Sequence, residues 1–180
     1  STVLMLNKPR GILTTTADPG GRSTVMDFVD LSAHVSPIGR LDKESSGLLL
    51  LTDDGQLAHL LMSPSSHLPK EYLVQTREEL SDEGLDRFRR GMKLDGRRTR
   101  EASIERVGRS ENRPRYRIVL NEGRNRQIRR MMAMLGVKVV RLSRRRYGGI
   151  DIGNLEPGEW RILGKGEIDK LRSQCQAKEE

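Results

Sequence analysis

Asp42 is the residue in this chain best placed to do chemistry. It lies in the polar stretch Gly39-Arg40-Leu41-Asp42-Lys43-Glu44-Ser45-Ser46, which runs straight into Gly47 and four consecutive leucines, Leu48 to Leu51. A loop fixed by a rigid core element is where reactive groups tend to be mounted. A carboxylate there can act as a nucleophile or take a proton. The plainer alternative is an Arg40–Asp42 surface ion pair at a strand end. A second grouping is cationic. Residues 123–146 hold nine Arg or Lys and no Asp or Glu, in a chain of formal net charge +8, so everything else sums to −1. A basicity so localised has the form of a polyanion footprint rather than of a uniformly solvating surface.

The elements that must position these residues follow from pattern. The leucine run, bounded by Gly47 and Thr52-Asp53-Asp54-Gly55, is too short for a helix and reads as a strand buried on both faces. Gly39 and Gly47 permit sharp turns on either side. Before it, residues 2–6 form a short apolar strand that ends at the turn Asn7-Lys8-Pro9-Arg10-Gly11, with two basic side chains on a loop. Residues 12–16 are β-branched and predicted extended. Asp18-Pro19-Gly20-Gly21 is a turn, and residues 24–30 fit a short helix. After the leucine strand, residues 56–62 carry Leu57, Leu60 and Leu61 at helical spacing, with Pro64 as the stop.

Residues 70–76 alternate as a strand. Residues 81–90 read as a helix with Ser81 as N-cap and Gly91 as the end. Residues 92–121 read as a β-meander: a turn at Lys93-Leu94-Asp95-Gly96, a strand over 99–107, a loop over 108–113, and a strand over 115–121 with Tyr116, Ile118 and Leu120 on one face. A helix over 126–135 buries Ile128, Met131, Met132 and Leu135. At roughly 100° per residue Arg129 lies beside that stripe, whereas Arg126 and Arg130 point away, onto what is otherwise a solvated basic face. A long strand over 137–147 ends in Arg144-Arg145-Arg146, which serves either RNA backbone contact or protection of a strand edge. A closing helix over 167–173 and a flexible tail over 174–180 complete the chain. The fold class expected is α+β, with a mixed, mostly antiparallel sheet flanked by helices and crossed by a cleft. Residues 1–173 form one catalytic domain in this reading.

Composition narrows the class further. Cys175 is the only cysteine, so no internal disulfide forms, which suits a reducing cytoplasm. His34, His59 and His67 lack metal-ligand spacing, so no zinc site is expected. No run approaches the ~20 apolar residues of a membrane helix. Aromatics are too scarce for a base-stacking sheet.

Four motifs stand in order: Lys8-Pro9-Arg10-Gly11; Gly39-Arg40-Leu41-Asp42 with Ser46 to Thr52; Lys70-Glu71-Tyr72; and Glu122-Gly123-Arg124-Asn125-Arg126-Gln127-Ile128-Arg129-Arg130-Met131. In this order they resemble the RNA pseudouridine synthases, over nearly the whole chain. Arg126 before Gln127 and Arg130-Met131 after Arg129 resemble the RsuA/RluB/RluE/RluF group, and Asp18 to Arg22 with the 144–149 stretch resemble its members that act on large-subunit (23S) rRNA. Many members carry an N-terminal S4 domain, and this sequence begins at the catalytic motifs.

The resemblance implies cofactor-free isomerisation of a uridine in rRNA by a cytoplasmic monomer. It matches Asp42 to the family's essential aspartate, Tyr72 to its active-site tyrosine, and Arg129 to the basic residue that keeps the aspartate charged. Tyr72 is otherwise an ordinary strand aromatic. Arg40 matches an arginine that helps hold the target nucleotide extruded, and Leu120 or Ile118 supplies an apolar wall. Lys8 and Arg10 are matched to backbone phosphate, or are solvated loop charges, and Arg124, Arg126, Arg130, Arg144, Arg145 and Arg146 complete the RNA-contacting set. Two other readings share the sequence: a non-catalytic rRNA-binding or ribosome-assembly factor on the same scaffold, and a basic domain that binds acidic proteins.

Overall fold

The computed structural model describes residues 1–30 and 34–176. In chain order its strands and helices are β1 (Val3–Lys8), β2 (Ser36–Pro37), β3 (Ser46–Thr52), α1 (Gly55–Met62), β4 (Lys70–Thr76), α2 (Asp82–Arg90), β5 (Lys93–Leu94), β6 (Arg97–Arg98), β7 (Ser103–Ser110), β8 (Arg113–Leu120), α3 (Gln127–Met134), β9 (Val139–Tyr147), β10 (Ile150–Asp151), β11 (Trp160–Ile162) and α4 (Lys165–Gln176). The class is α+β with mixed, mostly antiparallel strands, as expected. The chain divides into two compact units, residues 1–68 with 144–180 and residues 69–143. Among the described residues no helix is long and apolar enough to cross a membrane.

The first unit is built on β3. It pairs antiparallel with β1 from Val3↔Thr52 to Lys8↔Gly47, and β11 pairs with the other edge of β1. The leucine run is apolar throughout because both faces of the sheet are covered. Leu48 and Leu50 pack with Val3, Met5, Leu57, Leu61 and Leu171, under α1 and α4. Leu49 and Leu51 pack on the opposite face with Leu4, Leu6, Val25, Val35 and Leu41. All four leucines are fully buried, each contributing about 1.5–3 kcal/mol relative to exposure.

The second unit holds the antiparallel ladder of β4, β8 and β7, the adjoining 139–143 part of β9, the β5–β6 hairpin and two helices. β8 pairs with β4 (Tyr72↔Ile118) on one side and with β7 (Ile104↔Ile118) on the other. Tyr116, Ile118 and Leu120 share the buried face of β8 and pack with Phe88 from α2 and with Ile128, Met131 and Met132 from α3. Ser81 caps α2 by accepting from Gly84 N–H at 3.0 Å. The Tyr116 hydroxyl, inside the core, accepts from Leu80 N–H at 2.9 Å.

Several sequence expectations are corrected. Residues 12–16 make no strand; a single bridge joins Leu13 to Thr24. The helix expected over 24–30 is one 3-10 turn, Val25–Asp27, closed by a capping box between Thr24 and Asp27. The loop expected over 108–113 shrinks to Glu111-Asn112, both with positive φ, and Gly108 instead sits where the β7–β8 register shifts. Arg126, expected inside α3, is its left-handed N-cap. α4 continues to Gln176, and residues 177–180 of the expected tail lie outside the described residues.

Gly47 marks the tightest backbone approach in the first unit. Its φ is +107°, and a β-carbon there would lie 2.2 Å from the Arg144 carbonyl oxygen and 2.7 Å from the Arg144 nitrogen. Both the dihedral and the contact exclude a side chain. Gly47→Ala is therefore expected to lose about 3 kcal/mol or more, read as a melting temperature lower by roughly 6–12 °C for a chain of this size. A melting temperature within about 2 °C of wild type would refute the tight approach.

Candidate active site

Asp42 is half-buried, and the backbone on both sides of it is clamped. On the N-terminal side the Thr14 hydroxyl donates to Leu41 C=O at 2.8 Å and accepts from Leu41 N–H at 3.3 Å. On the C-terminal side Lys43 C=O accepts from Gly11 N–H at 2.7 Å and from Lys8 Nζ at 3.3 Å. The Asp42 carbonyl itself accepts from Ser45 N–H at 3.0 Å, closing a turn that leads into β3. The loop is thus fixed by the segment 8–14, and the carboxylate is presented from a backbone with little freedom to shift.

Lys8 is a correction to the sequence reading. Expected at RNA phosphate or in solvent, it is 0% exposed. Its three ammonium donors go to Ile12 C=O at 2.7 Å, Pro9 C=O at 2.9 Å and Lys43 C=O at 3.3 Å. Burial pushes the ammonium down to about 8 from an ordinary 10.5, against the opposing pull of the Asp42 and Glu44 carboxylates. Lys8 therefore lies in the electrostatic neighbourhood of Asp42 but serves the backbone, not a polyanion.

Arg144 is the second correction. Only 5% exposed, it donates from Nε to Leu48 C=O at 2.9 Å, and its guanidinium lies 5.1 Å from the centre of the Tyr147 ring. It anchors β9 to the leucine strand rather than facing outward. Arg145 is half-buried, and Arg146, exposed, pairs with Asp151 at 3.6 Å. Arg10 and Arg40 are exposed, as a role in contacting a ligand requires.

In the second unit Tyr72 lies on β4 opposite Ile118 and is 8% exposed. Leu120, 3% exposed, belongs to the same apolar cluster. On α3 the burial follows the expected phase: Ile128, Met131 and Met132 are buried, Arg129 is half-buried beside them, and Arg126 is exposed. Arg130 departs from a fully solvated role. It is half-buried and donates to Asp95 at 2.8 Å. Arg124 donates to Arg97 C=O at 3.0 Å and also to Leu94 C=O.

Two residues escaped sequence reasoning. Thr14 sits in a β-branched run that looks like strand, so its side-chain role has no signal. Gln127, 3% exposed, lies one position before Ile128 at the start of the buried stripe; its amide donates to Glu122 at 3.1 Å and accepts from Arg124 N–H at 3.2 Å, closing the turn that opens α3. Asp42, Lys8, Arg10, Arg40 and Arg144 to Arg146 thus belong to the first unit, and Tyr72, Leu120, Arg124, Arg126, Arg129 and Arg130 to the second.

Comparison with known proteins gives these positions a context. Residues 2–134 match the family model described as RNA pseudouridylate synthase. Ribosomal large subunit pseudouridine synthase B of Xylella fastidiosa is 41% identical over 180 residues, covering 96% of this chain and 38% of that protein. The chain thus spans well under half the length of this relative. The protein of the same name from Bacillus subtilis is 35% identical, covering 94% of this chain and 70% of its own. Ribosomal small subunit pseudouridine synthase A of Escherichia coli is 38% identical, covering 91% and 71%. Among solved structures, one described as a pseudouridylate synthase superposes with a TM-score of 0.84 at 35% identity, covering 94% of this chain and 73% of the other.

The Lys8 geometry has a consequence for pH. Its folded value, about 8, lies below the ordinary 10.5, so the unfolded chain binds this proton more tightly in the interval between. The contribution of this group to stability therefore rises as pH rises from about 8 towards 10.5. Lys8→Met also takes the ammonium donor from the Pro9 and Ile12 carbonyls and leaves Lys43 C=O with Gly11 N–H alone, so it is expected to be destabilised at every pH. The difference in melting temperature, wild type minus Lys8→Met, should widen between about pH 8 and pH 10. A constant or narrowing difference would place the titration elsewhere.

Proposed function

Because the chain belongs to the RNA pseudouridylate synthase family, we propose that it converts a uridine of large-subunit (23S) ribosomal RNA to pseudouridine, with Asp42 as the catalytic group. The observation that carries the assignment is the clamp on Leu41 and Lys43, which holds the one residue between them. A surface ion pair would not need such fixation, whereas a carboxylate that must meet a reacting carbon within a few tenths of an ångström does. The large-subunit assignment is supported by relatives of that name from Xylella fastidiosa and Bacillus subtilis.

The reaction breaks the N1–C1′ bond of the uridine, turns the uracil, and joins C5 to C1′. The proton on C5 leaves and N1 ends protonated, so the change is an isomerisation without oxidant, reductant or incoming group. Asp42 acts either as nucleophile or as base at the sugar. In this reading Arg129 is the counterpart of the basic residue that accompanies the family's aspartate. Tyr72 offers its ring to the uracil face and its hydroxyl to the proton at C5. Ile118 and Leu120 provide the apolar wall. The target must leave its stack, at a cost of a few kcal/mol, and Arg40 helps hold it extruded. Arg10, Arg124, Arg126, Arg130, Arg145 and Arg146 are the backbone contacts in this reading. Lys8 and Arg144 are withdrawn from that set because both are buried on protein acceptors.

The decisive experiment uses rRNA transcripts labelled with tritium at C5, from which isomerisation releases the label. Asp42→Ala should abolish release and leave RNA affinity within about twofold. Retained turnover would remove Asp42 from the mechanism, and the absence of product from any transcript with wild-type protein would leave a non-catalytic binder. Thr14→Val, which removes the hydroxyl that fixes Leu41, should lower kcat by roughly tenfold to a hundredfold with little change in KM. Thr14→Ser should restore it.

A further inference from the structure

Residues 90–100 carry five Arg or Lys against a single acid, Asp95, and form a cationic surface outside the four motifs. The strands β5 and β6 make a two-stranded hairpin in which Lys93 stands directly opposite Arg98, and both are exposed. Like charges directly opposite in an antiparallel pair repel. Leu94, on the alternate face, is buried in the core of the second unit, and Arg97 beside it is exposed. Lys93 and Arg98 therefore share one cationic face, and Arg97 shares the other face with Leu94 while remaining exposed. Arg87, Arg89 and Arg90 need no ligand to explain them, since they occupy the last turn of α2, where the helix dipole favours cations. The hairpin strands have no such dipole.

The repelling pair is also held rigidly. Asp95 and Gly96 form the tip, both with positive φ, +53° and +75°, the turn chemistry that closes a two-residue hairpin. At the root, Thr99 N–H donates to Met92 C=O at 2.8 Å and Met92 N–H donates to the Thr99 hydroxyl at 2.9 Å. Arg100 N–H is fixed on Glu122 at 2.6 Å. From the other side Arg124 grips the carbonyls of Leu94 and Arg97, and Arg130 grips Asp95. Asp95 is thus drawn onto Arg130 and Arg124, as the lowering of its carboxyl by these guanidiniums reflects. It is not opposite Lys93 or Arg98 in the ladder.

We propose that the 92–99 hairpin is an additional RNA-contacting surface, whose Lys93, Arg97 and Arg98 take the phosphate backbone of a folded rRNA segment. The proposal rests on the reading that the substrate is rRNA. A rigid ribbon with a side-by-side cationic pair carries a modest, solvent-screened repulsion in the free protein, which a polyanion relieves. Its pinning by Arg124 and Arg130 sets it beside the start of α3, so both would be engaged by one backbone.

The test is the salt dependence of binding of a fluorescently labelled, folded large-subunit rRNA fragment to wild type and to the triple variant K93Q/R97Q/R98Q. All three side chains are exposed, so the variant should melt within a few degrees of wild type; failing that, the single variant R97Q is used with an expected slope change of about one. The triple variant should bind roughly tenfold more weakly at about 0.15 M salt, with the slope of log K against log salt smaller by about three. An unchanged slope overturns the proposal, whether the face meets solvent or an acidic protein. The two readings fail separately. Absence of pseudouridine on every transcript with the slope change intact would sink the enzymatic assignment alone, and product formation with an unchanged slope would sink only the hairpin.

Discussion

A buried ammonium holds the loop that carries Asp42 in place. Lys8 is the last residue of β1, paired across the ladder with Gly47 at the start of β3. Burying a charge costs several kcal/mol unless it is fully hydrogen-bonded. Here each ammonium proton has a carbonyl, and two carboxylates, Asp42 and Glu44, lie near enough to oppose its loss of charge. The same contacts join three stretches that are distant in sequence or direction: the turn at Pro9, the segment at Ile12 and the loop at Lys43. A neutral side chain of the same size would take the ammonium donor from the Pro9 and Ile12 carbonyls. The loop would then be held at Lys43 by Gly11 N–H alone, and the backbone around Asp42 would be less firmly fixed on its C-terminal side.

The second constraint is steric and reinforces the first. Gly47 lets the backbone of Arg144 come within a distance no β-carbon tolerates, and Arg144 uses that approach to donate to Leu48 C=O. The start of β3 is thus gripped by β1 on one side and by the end of β9 on the other. Burial of alternate leucines into separate clusters on the two faces leaves β3 little room to deform. A loop rooted in such a strand inherits its rigidity at one end, and the Thr14 and Lys8 contacts supply rigidity at the other.

What the sequence disclosed divides along physical lines. Elements whose signal is hydrophobic period or capping chemistry were legible: β4 coincides with the strand read at 70–76, and α2 begins after the Ser81 cap as expected. The leucine strand was legible because nothing but two-sided burial accounts for so apolar a run. Residues whose role is set by backbone acceptors brought in from elsewhere were not. Lys8 and Arg10 look alike in a turn, yet one is enclosed and the other exposed. Thr14 carries no local mark of binding Leu41 at a separation of 27 residues. Arg144 did carry a neglected signal. Leu142 lies two positions before it on β9, and both are buried, so period-two alternation points Arg144 to the face of Leu142 and Arg145 to the other, while Arg146, near the end of the strand, is exposed. Reading the triple arginine as one edge feature ignored the pleat.

Net charge therefore cannot stand for a binding footprint until each cation has been traced to its acceptor. The nine cations of 123–146 do different work. Arg144 is internal, and Arg124 and Arg130 spend hydrogen bonds on the hairpin at 93–98. Their charge is not lost by this, because a guanidinium bonded to a backbone carbonyl remains a full cation with donors facing other directions. Arg124 and Arg130 act as a bracket, carrying positive potential while fixing a ribbon that carries more. The pairing of Lys93 with Arg98 then becomes intelligible in energetic terms. Repulsion between them is a modest, solvent-screened cost in the free protein. A polyanion laid across the ribbon would change its sign, since both cations would meet phosphate and release condensed counterions.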